Sequence, residues 1–394
     1  MTANNPMRGV GPRIATARRA RNLTQAELAS AALVSYSTLI KIERGARYPS
    51  DDTLDAIAGA LGVDPGRLLA GGGRATGRVH AAMPALSAAI AAYDLPDDGP
   101  TRPLDELAAA VDQAVAWRLG AQYVRLAETM PALLGELSRA YHGADAAGRR
   151  RAAKLLVSAY RSADAVAYKY GHRDLSARLI ELMRWATPAA GDELLPAAVA
   201  YVRTEVFFAA RAHGPGLRAL EAAVDATPRP VDAPTAAARG ALHMRAAVIA
   251  GRASQADRAD EHLTEARALA ALAPEGVYAG TAFGPDSVRI HELSFAVSLG
   301  DRGVQRALDV AREWAPPRDL PAERRSGFYI ELSRAQLWGG LRADAFESLR
   351  VARRIAPQHT REHPWTREVT ETLLRLSRAE RDGLAPFAEW AGIL

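Results

Sequence analysis

Cysteine is absent from the 394 residues, which excludes disulfides and thiolate-held metal ions and fits a reducing cytoplasm. No apolar run approaches the roughly 20 residues that a membrane-spanning helix needs. The opening stretch, MTANNPMRGV, lacks the apolar core of a signal peptide. Asparagine occurs only at Asn4, Asn5 and Asn22, and signals for β-strands are missing. No P-loop, G-x-S-x-G elbow or H-E-x-x-H motif is present, so neither an enzyme nor a cofactor is expected. His359 and His363 have an i,i+4 spacing compatible with a metal ion, but no third ligand stands beside them, and the pair reads as incidental.

What is present is length, helix-forming composition and an uneven charge. A chain this long exceeds one ordinary core, so two domains or a repeat array are implied. Residues 1–50 carry Arg8, Arg13, Arg18, Arg19, Arg21, Lys41, Arg44 and Arg47 against Glu27 and Glu43, a net +6; with +5 overall, the remaining 344 residues sum to −1. Such asymmetry points to a polyanion partner for the N-terminal end alone, the bland alternative being a solvated basic face.

That end contains a motif. Thr24–Gly45, TQAELASAALVSYSTLIKIERG, reads as two short helices joined by a tight turn. Thr24 is an N-cap completed by Glu27 into a capping box, Ser35 caps the second helix, and Gly45 marks its C-terminal stop. Leu39 and Ile42 share the inward side, leaving Tyr36, Ser37, Ile40, Lys41 and Arg44 outward. A short helix exposing hydroxyls and cations suits the major groove of DNA. Lys41 can donate to guanine, Ser37 is adaptable, and Ile40 can pack on a thymine methyl. Thr24, Arg44 and Arg47 are candidates for phosphate contact, which positions without specifying. Thr38 serves either the cap or the groove. A helix over about 11–21 precedes this unit, with Ile14 and Ala17 inward and Arg13, Arg19 and Arg21 outward. A capped helix carrying Leu54, Ile57, Ala58 and Leu61 follows, and then a short helix at DPGRLL.

This five-helix plan resembles the XRE family of repressor/Cro-like helix-turn-helix domains. The resemblance rests on Gln25, Glu27, Leu28, Ala29, Val34-Ser35, Thr38, Ile42-Glu43-Arg44-Gly45, Pro49-Ser50, Leu54, Ala58 and Ala60-Leu61-Gly62-Val63, over about residues 11–70. It implies base contacts from Tyr36, Ser37, Ile40 and Lys41, a DNA-backbone contact from Gln25, and an internal salt bridge between Arg18 and Glu43. One position departs: the turn residue, usually Gly, is Leu33, for which a left-handed backbone costs about 1 kcal/mol more than for Gly.

Residues 71–78, GGGRATGR, read as a flexible hinge, followed by a helix around His80–Tyr93 and a polar stretch. The expected division is residues 1–70 as the DNA-binding domain, 71–103 as hinge and linker, and 104–394 as a helical array. Within the array Pro188, Pro228, Pro274, Pro316 and Pro357 close five similar Ala/Leu-rich helices, at spacings of 40, 46, 42 and 41 residues. A longer helix precedes each, over about 145–170, 192–212, 233–251, 285–299 and 321–338, and residues 360–394 read as a terminal covering pair. Helix pairs of this period bury their apolar faces only by stacking. The pattern resembles tetratricopeptide (TPR) repeats, longer than the usual ~34 residues, and the whole is similar to actinobacterial XRE regulators with a C-terminal TPR-like sensor domain. The fold class expected is therefore all-α.

In such arrays the first helix of each pair lines the concave surface. Arg203, Phe207, His243, Arg289, His291 and Tyr329 are the ligand candidates there, and the same helices carry Tyr160, Arg161, Tyr168, Arg211, Arg245, Glu292, Glu331 and Arg334. The plain alternative is that the aromatics are core and the charges solvated. Phe283, in the TAFGP stretch before Pro285, belongs either to a pocket or to a loop that resets curvature. Peptide-pheromone receptors that join this DNA-binding domain to TPR repeats hold peptide backbones with asparagine; its confinement here to three N-terminal positions favours a small molecule or a protein as the signal. The expectation is a homodimeric, cytoplasmic, sequence-specific transcription regulator of double-stranded operator DNA. The alternative is a TPR scaffold that DNA binding merely localises.

Overall fold

In the computed structural model the described residues are 10–19, 21, 23–47, 49–63, 68, 74–376 and 383–393. Contacts divide the chain into Met1–Arg74 with Leu374–Leu394, and Ala75–Leu373. In the first unit the local signals become helices α1 (Val10–Arg19), α2 (Gln25–Ala31), α3 (Tyr36–Glu43) and α4 (Asp51–Ala60). Thr24 caps α2: the Glu27 amide donates to its hydroxyl at 3.2 Å while its own amide donates to the Glu27 carboxylate at 2.6 Å. Ser35 and Ser50 cap α3 and α4 in the same way, accepting from the Thr38 and Thr53 amides. These bonds satisfy donors that a helix start leaves open, each worth about 1 kcal/mol.

The apolar stripes then meet. Val10, Ile14, Leu28, Leu39, Ile42, Leu54, Ile57, Leu61 and Leu68 form one core. Gly11 permits its tightest contact, because a Cβ there would lie 2.0 Å from the Ile42 carbonyl oxygen. One expectation changes and one goes untested. Arg13 is half-buried rather than outward, its Nε donating to the Leu68 carbonyl at 2.5 Å. Of the DPGRLL helix only Leu68 is described; the rest lies outside the described residues. Leu33 does adopt the left-handed turn, with φ 53°, and its side chain is 94% exposed. It gains no burial to offset the strain.

The second unit is a succession of antiparallel helices. After α5 (Arg74–Ala91) come the pairs α6 (Leu104–Leu119) with α7 (Tyr123–Gly143), α8 (Ala146–Lys169) with α9 (Arg173–Ala190), and α10 (Leu195–Ala209) with α11 (His213–Ala226). Then follow α12 (Ala233–Arg252) with α13 (Ala256–Ala270), α14 (Pro285–Ser298) with α15 (Val304–Glu313), and α16 (Ala322–Trp338) with α17 (Arg342–Ile355). Short α18 (Pro357–Glu362) and α19 (Pro364–Leu376) complete the array, and α20 (Leu384–Trp390) falls within the first unit's residues. The terminal pair expected over 360–394 is thus divided between the two units. The stretch expected as a hinge is described from residue 74 onward, where it is the first turn of α5. Pro188 does not end its helix, which continues to Ala190.

The fold is all-α as expected, interrupted by an antiparallel hairpin that no strand signal announces: β1 (Gly276–Tyr278) pairs with β2 (Thr281–Phe283) between α13 and α14. Its turn residues Ala279 and Gly280 have positive φ. Phe283 is fully buried over α12 at Gly240, where a Cβ would sit 2.0 Å from the ring.

Successive first helices pack together, α10 on α12, α12 on α14 and α14 on α16. The array also curls back: α16 packs against α6. Gln358 accepts from the Val124 amide at 3.0 Å, and Thr76 donates to Glu362 at 2.6 Å, joining late residues to early ones. Instead of an open groove, the first helices surround an interior.

Leu33→Gly is expected to stabilise the N-terminal unit by about 1 kcal/mol, relieving left-handed strain at a site that buries nothing. Urea titration of the full chain checks this as a rise in the midpoint of that unit's transition.

Candidate nucleic-acid interface and an arginine-lined cavity

The face of α3 is set by a buried brace. Arg18 Nε and Nη2 donate to the two Glu43 oxygens at 2.7 and 3.0 Å, and Arg18 Nη1 donates to the Leu23 carbonyl at 2.8 Å. Gln25 Nε2 donates to Glu43 at 2.7 Å. One carboxylate therefore ties α1, α2 and α3. Burial would raise the Glu43 carboxyl, but the bonds from Arg18 and Gln25 outweigh it and hold it below the usual carboxylate range. In this structure Gln25, expected at the DNA backbone, is engaged inside that brace.

Opposite the core, Tyr36 is 53% exposed, Ser37 and Lys41 are exposed, and Ile40 is half-buried. Arg44 and Arg47 are exposed just past the helix end. Thr38 is drawn into the cap, accepting from Ser35 Oγ at 2.8 Å, and the Thr24 hydroxyl donates to Glu27 at 2.8 Å. The four residues named as base readers share one accessible face of α3.

The second unit encloses a cavity of about 630 Å³, within the range of small-molecule sites. Its lining comes in stripes from the first helices: Arg161, Asp164 and Tyr168 on α8; Tyr201, Glu205 and Phe208 on α10; Arg245, Val248 and Arg252 on α12; His291 and Ser294 on α14; Arg324, Gly327 and Glu331 on α16. Arg118 of α6, Gly280 of the hairpin, the Lys169–Glu323 ion pair, His359, His363 and Trp365 also line it. Guanidinium groups converge on one ring: Arg245, Arg161 and Arg324 lie 4.3, 5.9 and 5.9 Å from the Tyr201 centroid. Arg252 stacks on Phe208 at 4.4 Å. The hairpin turn takes two more donors, Arg118 Nη2 to Gly280 at 2.8 Å and Arg161 Nη1 to Ala279 at 2.7 Å.

The acids here are mostly muted. Burial and the neighbouring Glu205 push the Asp164 carboxyl well above its usual range. Burial likewise raises Glu205, Glu331 and Glu362. Only Glu323 is shifted the other way: burial opposes ionisation, but Lys169, at 3.0 Å, and neighbouring cations hold it ionised. Burial also takes Arg161 down to about 9, still cationic at neutral pH. The Tyr201 phenol, which burial alone would raise, is lowered by Arg245 and Arg324. The cavity has a positive interior.

Of the ligand candidates, His291 reaches this cavity. Arg203 stacks on Phe207 at 5.3 Å away from its lining. His243 pairs with His262 at 3.0 Å, Arg289 faces Glu292 and Glu313 at 3.7 and 3.8 Å, Tyr329 packs edge-on to Phe328, and Phe283 is core. Arg161, Tyr168, Arg245 and Glu331, carried by the same helices, also line the cavity. Asp164, Tyr201, Glu205 and Phe208 were not among the candidates, although an i, i+3 or i+4, i+7 stripe repeated from helix to helix would have joined them to Arg161 and Tyr168.

Residues 14–68 match the family described as Helix-turn-helix. The immunity repressor protein of Bacillus phage phi105 is 52% identical over 54 residues, 14% of this chain and 38% of that repressor. The chain thus matches well under half the length of this curated relative. Among solved structures, a PrgX mutant shares 11% identity over 84% of this chain and 95% of its own, with a TM-score of 0.32. The apo form of the competence regulator ComR from Streptococcus vestibularis shares 13% over 94% and 99%, with a TM-score of 0.25. At these scores the structural likenesses carry no argument. The N-terminal unit is a helix-turn-helix DNA-binding domain, and no helix among the described residues is long and apolar enough to cross a membrane.

Glu43→Ala is expected to destabilise the N-terminal unit by about 3–5 kcal/mol, because it strands a buried arginine. Since the folded-state carboxyl is depressed, its contribution is present above the unfolded pKa of about 4.3 and lost as pH falls through the folded value. Denaturant titrations between neutral and acid pH should show the wild type losing this increment and Glu43→Ala not.

Proposed function

We propose that the chain is a sequence-specific transcription regulator whose N-terminal unit reads operator DNA and whose helical unit binds a small-molecule signal. The observation that carries it is the α3 face, where Tyr36, Ser37, Ile40 and Lys41 stand together on a helix braced through Glu43. Lys41 and Ser37 supply donors for base edges, Ile40 an apolar contact, and Arg44 and Arg47 phosphate contacts. Support for the sensing role comes from the charged cavity of the helical unit, which has no counterpart in the requirements of DNA binding. A single domain of this size buries only about 600–1,000 Å² on DNA, so it acts as a homodimer on two half-sites. Its place of action is the cytoplasm, on the nucleoid.

Genomic footprinting of the intact protein is expected to give discrete, two-part protected sites. Lys41→Ala should cost about 1–3 kcal/mol at such a site and relax its sequence preference, whereas Arg44→Ala should weaken all sequences alike and lower the salt slope by about 1. Protection unchanged by Lys41→Ala would remove α3 as the reading element.

A further inference from the structure

Five arginines line the cavity without a carboxylate in contact. Among the described residues, Arg118, Arg161, Arg245, Arg252 and Arg324 make no salt bridge; the one ion pair in the lining is Lys169 with Glu323, and seventeen others occur elsewhere. Their donors meet carbonyls, hydroxyls and ring faces, none of which carries a compensating charge. The buried Nε atoms of Arg118 and Arg245 have no hydrogen-bond partner at all. Arg118 and Arg161 are only 6% and 7% exposed. A buried charge without a counter-charge is costly, and evolution usually pairs it, as with Arg18 and Glu43 in the other unit.

From this geometry we infer that the cavity binds a compact organic anion carrying two or more negative charges, with one anionic group seated among Arg161, Arg245 and Arg324 at the edge of Tyr201. Arg252, two helical turns from Arg245 on the same face of α12, lies about 10 Å farther along and takes a second group. Guanidinium forks suit carboxylate and phosphate equally, and stacking on Tyr201 and Phe208 orients them in advance. The lowered Tyr201 phenol is what such a field produces in an unneutralised site. The inference deepens the sensing role proposed above by naming the ligand class.

The test is isothermal titration of the full chain, without DNA, against inorganic pyrophosphate, citrate and, as a neutral control, trehalose. Pyrophosphate or citrate is expected to bind one per chain with sub-millimolar affinity, the better of the two telling whether the source is a phosphate or a carboxylate compound. Arg245→Gln and Arg324→Gln should each weaken binding about tenfold or more, while Arg289→Gln, off the cavity, should not. Melting curves separate binding from folding: without anion, Arg245→Gln should melt no lower than wild type, because it removes an uncompensated charge. The inference is overturned if neither anion binds, if trehalose binds as well, or if Arg289→Gln weakens binding equally. A lower-melting Arg245→Gln that keeps full anion affinity overturns it too, by making the arginine structural. Failure of DNA footprinting would instead sink the regulator reading and leave the anion result standing.

Discussion

A helix pair of about forty residues has more apolar surface than its two members can cover, and the second unit follows from that constraint. Each pair stacks on the next, so residues such as Leu156, Leu179, Leu242 and Leu263 become fully buried, each worth about 1.5–3 kcal/mol. Stacking repeats the same offset from pair to pair, which curls the array, and here the curl returns α16 to α6. Closure converts the inner stripe of each first helix from a groove wall into a cavity wall. Without the apolar stacking on the outer sides, seven cations could not be held around one space.

The two units treat buried charge in opposite ways. In the helix-turn-helix unit, Arg18 is neutralised by Glu43 at bidentate distance, with Gln25 filling a remaining acceptor position. That network is complete, and its effect is geometric: it fixes α2 and α3 so that four side chains share a face. In the cavity, arginines rest on rings and carbonyls while Asp164, Glu205 and Glu331 are driven toward their neutral forms. A complete network specifies a structure; an incomplete one leaves affinity for something else. The hairpin belongs to the same logic, since its turn carbonyls supply Arg118 and Arg161 with acceptors but no charge.

Most of the helix-turn-helix unit was legible in its residues because its determinants are local. Thr24, Glu27, Ser35 and Gly45 act within four residues of where they stand, and the periodicity of Leu28, Leu39, Ile42, Leu54 and Ile57 needs no distant partner to be read. For Gln25 and Arg13, the contact with Glu43 and the burial are not legible locally, for the opposite reason. Their partners, Glu43 and Leu68, lie 18 and 55 residues away, and nothing local announces them. The hairpin escaped notice because three-residue strands carry almost no alternation, and Val277 and Phe283 read equally well as loop.

By itself the sequence determined the helices, their caps, the pairing period and the basic, groove-sized motif at one end, since each depends on spacing along the chain. Only the tertiary structure decided which face of each first helix looks inward. A rotation of about 100° per residue separates Arg203 from Phe207 on one side and Tyr201 from Glu205 on another, and packing against neighbouring pairs selects between them. Closure of the array then decided the rest. Arg118, Arg161, Arg245, Arg252 and Arg324, up to 206 residues apart in the chain, share one cavity because α16 returns to α6, and no local pattern encodes that return.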